Sequence, residues 1–169
     1  MDYYRITQKD NWLNVIKPRF PHPTDLWGRT EPFFLPGISE DSKEPSVFLP
    51  IYMSDSFLVS DHVKVIWKKY QKGGRYHPCA FGNVEQRRIF PYCFVMPRIL
   101  DGVHPDTTYH KNGDIKELYL DKKIIGANRV FGIQTIRRIW LIVSDDVLEV
   151  MIRENITGFN WSKIKTGQE

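Results

Sequence analysis

One short pattern occurs twice in this chain, and it narrows the available folds more than any other feature. Phe57-Leu58-Val59-Ser60-Asp61-His62-Val63 aligns with Leu141-Ile142-Val143-Ser144-Asp145-Asp146-Val147, with Val59, Ser60, Asp61 and Val63 matched by identical residues. In each copy an apolar run suited to a strand meets a hydroxyl that can cap a helix. An aspartate then lies where the positive end of a helix favours it. Val63, Ile66, Trp67 and Tyr70 follow at i, i+3, i+4 and i+7, which predicts a helix over about 61–72, ended by Gly73-Gly74. Val147, Val150 and Met151 predict a second helix over about 145–155. Ser60 and Ser144 are expected as helix caps rather than nucleophiles, because neither lies in a Gly-x-Ser-x-Gly elbow. The pattern is either an internal duplication or a common strand-to-helix exit met twice, and the sequence leaves both open.

The segment before the first copy is of another kind. Pro18, Pro21, Pro23, Pro32, Pro36, Pro45 and Pro50 crowd it, so it cannot be a long helix or a central strand. Phe33, Phe34, Leu35, Val47, Phe48 and Leu49 make it too apolar for a solvated linker. Residues 17–50 are therefore expected as an irregular arm lying on a single domain of residues 1–169, with extended pieces at Phe33–Leu35 and Val47–Leu49. Other strands are expected at Tyr3–Ile6, Arg88–Met96 (at an edge or bulge because of Pro91), Lys123–Ile125, Arg129–Ile133 and Arg138–Val143. Asp10–Ile16 reads as a brief strand or helical turn. Asn112-Gly113 between Thr107–Lys111 and Asp114–Leu120 predicts a hairpin with a type I′ turn. The order strand, helix, many strands, helix defines an α+β fold with a mostly antiparallel sheet and two main helices.

With 41% hydrophobic and 26% charged residues the chain can build a core, so wholesale disorder is not expected. The start lacks the charged leader and apolar run of a secretory signal, and no apolar stretch is long enough to span a bilayer. Two cysteines, Cys79 and Cys93, make no disulfide framework. These points lead us to expect a cytoplasmic protein with reduced thiols.

Signatures of chemistry are missing. The sequence has no Gly-x-Gly-x-x-Gly, no phosphate-binding Gly-Lys-Ser/Thr loop and no His-Glu-x-x-His. Asp101, His104, Asp106 and His110 could offer metal ligands, but they straddle Gly102 and Pro105 before a hairpin, where such residues are ordinarily solvated. His77 and Cys79 could form a thiol–imidazole pair, yet no third orienting group is evident. No enzyme, cofactor or metal is expected.

Charge is uneven. Residues 51–100 carry 8 basic against 3 acidic groups, while the flanking thirds are balanced to within one charge. Lys64, Lys68 and Lys72 recur every four residues along the first helix, away from its apolar stripe, and Arg75, Arg87 and Arg88 follow. This is either a solvated helix face or a basic surface for an acidic partner or nucleic-acid phosphates. Trp27, Phe33 and Phe34 in the arm and Trp161 near the end are candidate interface anchors.

Three stretches support a resemblance: Arg129-Val130-Phe131-Gly132-Ile133, Ile139-Trp140-Leu141-Ile142-Val143-Ser144-Asp145, and Asn155-Ile156-Thr157-Gly158-Phe159-Asn160-Trp161. Together with Tyr3-Tyr4-Arg5-Ile6 they resemble bacterial immunity proteins of polymorphic toxin systems. The resemblance implies a small cytoplasmic α+β protein that binds and neutralises a cognate toxin domain, with no catalytic residues and no cofactor. A basic inhibitor argues against a strongly basic nuclease as that toxin, since inhibitors match their targets in charge. The competing expectations are a nucleic-acid-binding module using the basic face of residues 64–98, and an enzyme with an unrecognised site near His77–Cys79 or His104–His110.

Overall fold

A computed structural model describes residues 1–10, 13–41 and 43–167. In chain order the elements are β1 (Tyr3–Gln8), β2 (Lys17–Pro18), α1 (Pro23–Gly28), β3 (Phe33–Ile38), β4 (Ile51–Met53), β5 (Phe57–Ser60), α2 (Asp61–Tyr70), β6 (Arg75–Asn83) and β7 (Arg88–Met96). They continue with β8 (Thr108–Tyr109), β9 (Ile115–Glu117), β10 (Tyr119–Leu120), α3 (Lys122–Ile125), β11 (Val130–Gln134), β12 (Ile139–Ser144), α4 (Asp145–Arg153) and β13 (Phe159–Thr166). The class is α+β with two main helices. One sheet runs β2-β3-β6-β7-β5-β4, a second β10-β13-β1-β12-β11, and β8-β9 form a ribbon. Antiparallel pairs predominate, but both large sheets are mixed: β3 runs parallel to β6, and β10 to β13.

Strict alternation gives each sheet two buried faces. In β5, Phe57 and Val59 join a cluster with Val63 and Trp67 of α2, while Leu58 points the opposite way. The same central cluster takes Ile6, Leu141 and Val143 from the second sheet and Val147 and Met151 from α4. Trp67, with no exposed surface, lies against Met151, its Nε1 3.4 Å from the sulfur. The outer face of the first sheet (Leu58, Phe81, Tyr92, Phe94) is covered by Ile16 and by Leu26 and Leu49 of the proline-rich region. The outer face of the second (Tyr3, Phe131, Ile142) is covered by Leu100, Leu118, Leu120 and Ile125.

The two large sheets share one arrangement. β4-β5-α2-β6, with β7 inserted between β5 and β6, has the same order as β11-β12-α4-β13, with β1 inserted between β12 and β13. Gly73 (φ +81) precedes β6 and Gly158 (φ +80) precedes β13, each in the left-handed region where glycine has no Cβ to clash. Matching positions also meet alike. His62 lies 3.3 Å from Glu154, while at the corresponding sites Asp146 and Tyr70 are both met by Arg129, at 2.7 Å and 5.8 Å.

Several expectations need correction. Lys123–Ile125 is helical rather than extended, because Asp121 accepts the N–H groups of Lys123 (2.8 Å) and Ile124 (3.3 Å); a local cap outweighs the strand preference of two isoleucines. β7 is an interior strand: Pro91 is tolerated because β5 pairs no further than Tyr92 and leaves that side free. α2 stops at Tyr70, with Gln71 extended, two residues short of the expected end, and α4 stops at Arg153. Only Gly113 of the Asn112-Gly113 pair has positive φ, and its N–H donates to His110 O at 2.9 Å. The turn is therefore type I followed by a left-handed glycine, not type I′. Ser60 accepts the Val63 N–H at 3.4 Å as a cap does, whereas Ser144 makes no cap hydrogen bond. The Ser144 hydroxyl donates to Asp146, whose carboxylate accepts the Val147 N–H at 3.0 Å instead.

Phe33–Leu35 lies within β3, and Val47 bridges to Val15. The residues 17–50 also contain the short helix α1, with Pro23 at its first turn and the His22 side chain accepting the Thr24 N–H. Of Asp10–Ile16, Asn11 and Trp12 lie outside the described residues; Ile16 is fully buried.

Candidate functional site

The basic residues separate into two groups. Lys64 pairs with Asp61, and the Lys68 ammonium lies 5.0 Å from the Tyr76 ring. Lys72 is exposed just beyond α2, and Arg75 opens β6 with its guanidinium 4.8 Å from the Trp27 ring. Arg98 flanks Gly73 in the same neighbourhood. Arg87 and Arg88 lie at the opposite end of the β6–β7 hairpin, where Arg88 faces Asn83 across the pair. At the rise of an extended strand, this is about 26 Å from Arg75. Arg88 donates to the Ser46 carbonyl and lies 5.1 Å from Phe48, on the opposite face of the sheet from α2. Chain proximity suggested one stripe, and the long hairpin divides it.

The aromatic candidates separate too. Phe33 is half-buried, stacked on Phe94 (centroids 6.0 Å apart) and close to His77 (5.4 Å). Trp27 packs against the same cluster, under Arg75. Phe34, the next residue along, faces outward on the α2 side of the sheet. It opposes Ala80, which opposes Pro91, and Pro36 opposes Gly82 and then Ile89. Because α2 has only ten residues and packs on β5 and β7, it leaves this part of the sheet uncovered. Phe34 is 42% exposed, Ile38 49% and Ile89 45%, and Pro36, Pro78 and Pro91 are exposed as well. Alternation is what makes the surface: Leu35, Cys79 and Phe81 point to the buried side.

The result is an open apolar sheet face formed by β3, β6 and β7. Lys64 and Lys68 border it from α2, close enough to Cys93 on β7 to act on its thiol. Burial nevertheless pushes the Cys93 thiol up to about 11 and the Cys79 thiol up to about 12. That is the reverse of the shift that activates a thiolate. The two cysteines are free and lie on opposite faces of the sheet. His77 shares the Cys79 face, and its Nε2 lies 3.0 Å from the Glu31 carbonyl. Among the described residues no three His, Cys, Asp or Glu side chains converge on a point, and His104 instead accepts the Asp106 N–H at 3.2 Å. No described helix is long and apolar enough to cross a membrane.

No protein-family model matches the chain, and no curated protein matches it.

Proposed function

We propose that this chain is an immunity-type inhibitor that binds a cognate toxin domain by direct protein–protein contact, using the open face of β3, β6 and β7. The observation that carries the reading is that face itself. Contiguous exposed apolar surface on a protein marks a contact site, and here it is bordered by cations that select the partner. Phe34 and Ile89 supply apolar contact at the centre of the patch. Lys64 and Lys68 make its α2 border basic, which favours a partner with an acidic rim around an apolar patch. The resemblance of residues 129–161 and 3–6 to immunity proteins supports the same reading.

The strand–Val-Ser-Asp–helix units are, in this reading, scaffold. We take them as one element used twice, supported by the common strand order, the matched glycines before β6 and β13, and the contact between Trp67 and Met151 at matching positions. Their serines and aspartates set helix starts and take no part in chemistry.

Co-expression tests the function. Cells carrying the cognate toxin domain that this reading requires should survive with the wild-type chain and die with Phe34→Asp or Ile89→Asp. Equal killing with and without the wild-type chain would end the proposal for that pair.

A further inference from the structure

A concave site lies elsewhere on the molecule and shares no residue with the open face. It is a cleft of about 400 Å³ between the end of β1 and the β4–β5 and β11–β12 turns. The Arg5 guanidinium lies 3.6 Å from the centre of the Trp140 ring, a stacked geometry that fixes its plane. Arg138 lines the same cleft and acts on Arg5 as a like charge. Burial first, and then Arg138, hold the Arg5 guanidinium down to about 10. Asp10 and Asp55 line the cleft too, yet neither forms an ion pair with Arg5 or Arg138 among the described residues. The neighbouring Arg137 is already engaged, 3.0 Å from Asp114. Two guanidiniums are thus held in one half-enclosed space with neither paired to the Asp10 or Asp55 carboxylate, beside the apolar side chains of Met53 and Phe57.

We propose that this cleft binds a small organic oxyanion, with a phosphate or carboxylate group between Arg5 and Arg138 and an apolar body over Met53 and Phe57. A bound oxyanion offsets the repulsion between the two cations, and planar guanidiniums suit the paired oxygens of either group. The volume falls in the range of small-molecule pockets. The ring of Trp140 holds Arg5 in place before the ligand arrives, which lowers the ordering cost of binding.

Calorimetric titration of the intact chain with phenyl phosphate and, separately, with benzoate tests this. Saturable binding of at least one is expected, with inorganic phosphate binding more weakly because it lacks the apolar body; the stronger of the two organic ligands identifies the headgroup. Arg138→Gln, at an exposed site that leaves the fold intact, should weaken binding about tenfold or more, as the loss of a charge-assisted contact does. Arg5→Lys, which keeps the charge but loses the planar stack, should weaken it by a similar factor, with circular dichroism checking the fold. Failure of both organic ligands to saturate, or affinity unchanged in Arg138→Gln, would overturn the proposal.

Discussion

The two large sheets place their helices and strands alike but finish the outer part of the helix side differently. Beside α2, positions 78 and 80 of β6 are Pro78 and Ala80, and with Phe34 on β3 they leave an uncovered apolar surface. Beside α4, the corresponding part of β13 carries Trp161, Lys163 and Lys165. Lys163 pairs with Asp2 at 2.5 Å and Lys165 with Glu117 at 2.6 Å. One sheet therefore closes its surface with ion pairs, and the other leaves apolar side chains beside lysines. Similar scaffolds with unlike surfaces teach that packing constrains the inward positions and leaves the outward ones free to differ.

The largest effect expected from breaking this comparison lies where the two units touch. Trp67→Ala should cost about 3–5 kcal/mol and Met151→Ala about 2–5 kcal/mol, the range for emptying a buried site. Because the side chains are in contact, the double variant should lose less than the summed single losses. Denaturant unfolding of the four proteins measures it; additive losses would mean the two helices do not depend on each other.

A middle-sized effect separates the two helix starts. Ser60→Ala should cost about 1 kcal/mol, as loss of an N-cap does. Ser144→Ala should cost less, because the Asp146 carboxylate accepts the Val147 N–H and remains in place. Asp146→Ala removes that acceptor and the Arg129 partner together, and should exceed Ser144→Ala in the same unfolding experiment.

The smallest effect is the pH dependence of the closed face. Lys163 holds the Asp2 carboxyl below its ordinary value, and Lys165 does the same for Glu117. A carboxyl depressed in the folded state contributes stability above its unfolded value, and the contribution disappears as pH falls through the folded one. Acid unfolding of the Asp2→Asn, Glu117→Gln double variant should therefore be less steep with pH than wild type below the ordinary carboxylate range. At the other limit, Lys163 and Lys165 are raised above 10.5, so their contribution is present below that value and fades as pH rises through the raised one. Both pairs are exposed, so added salt should shrink the difference.

What the chain discloses locally was legible. The 3.6-residue spacing of Val63, Ile66, Trp67 and Tyr70 located α2, alternating aromatic and aliphatic residues located β7, and a continuous apolar run located β12. The strand β6 escaped because Pro78 and Gly82 break its pattern. Pro78 is accommodated only because β3 begins pairing at Cys79. The open face was hidden for a related reason. Phe33 and Phe34 are equivalent in the sequence, and which one faces out is decided by the pairing of β3 with β6, more than 40 residues further on. The lysine spacing was readable, but not the length of the hairpin that carries Arg87 and Arg88 away from it. Arg5 reads in the sequence only as part of a short strand, because its neighbour Trp140 arrives from the far end of the chain.

Hydroxyl-radical footprinting of the chain, alone and with the cognate toxin domain proposed above, tests the central claim most directly, because it reads the exposed side chains that differ between the two sheets. The account predicts that Phe34, Ile38 and Ile89 lose reactivity in the complex while Trp161 keeps it. Unchanged oxidation of Phe34 and Ile89, with protection appearing at Trp161 instead, would contradict it.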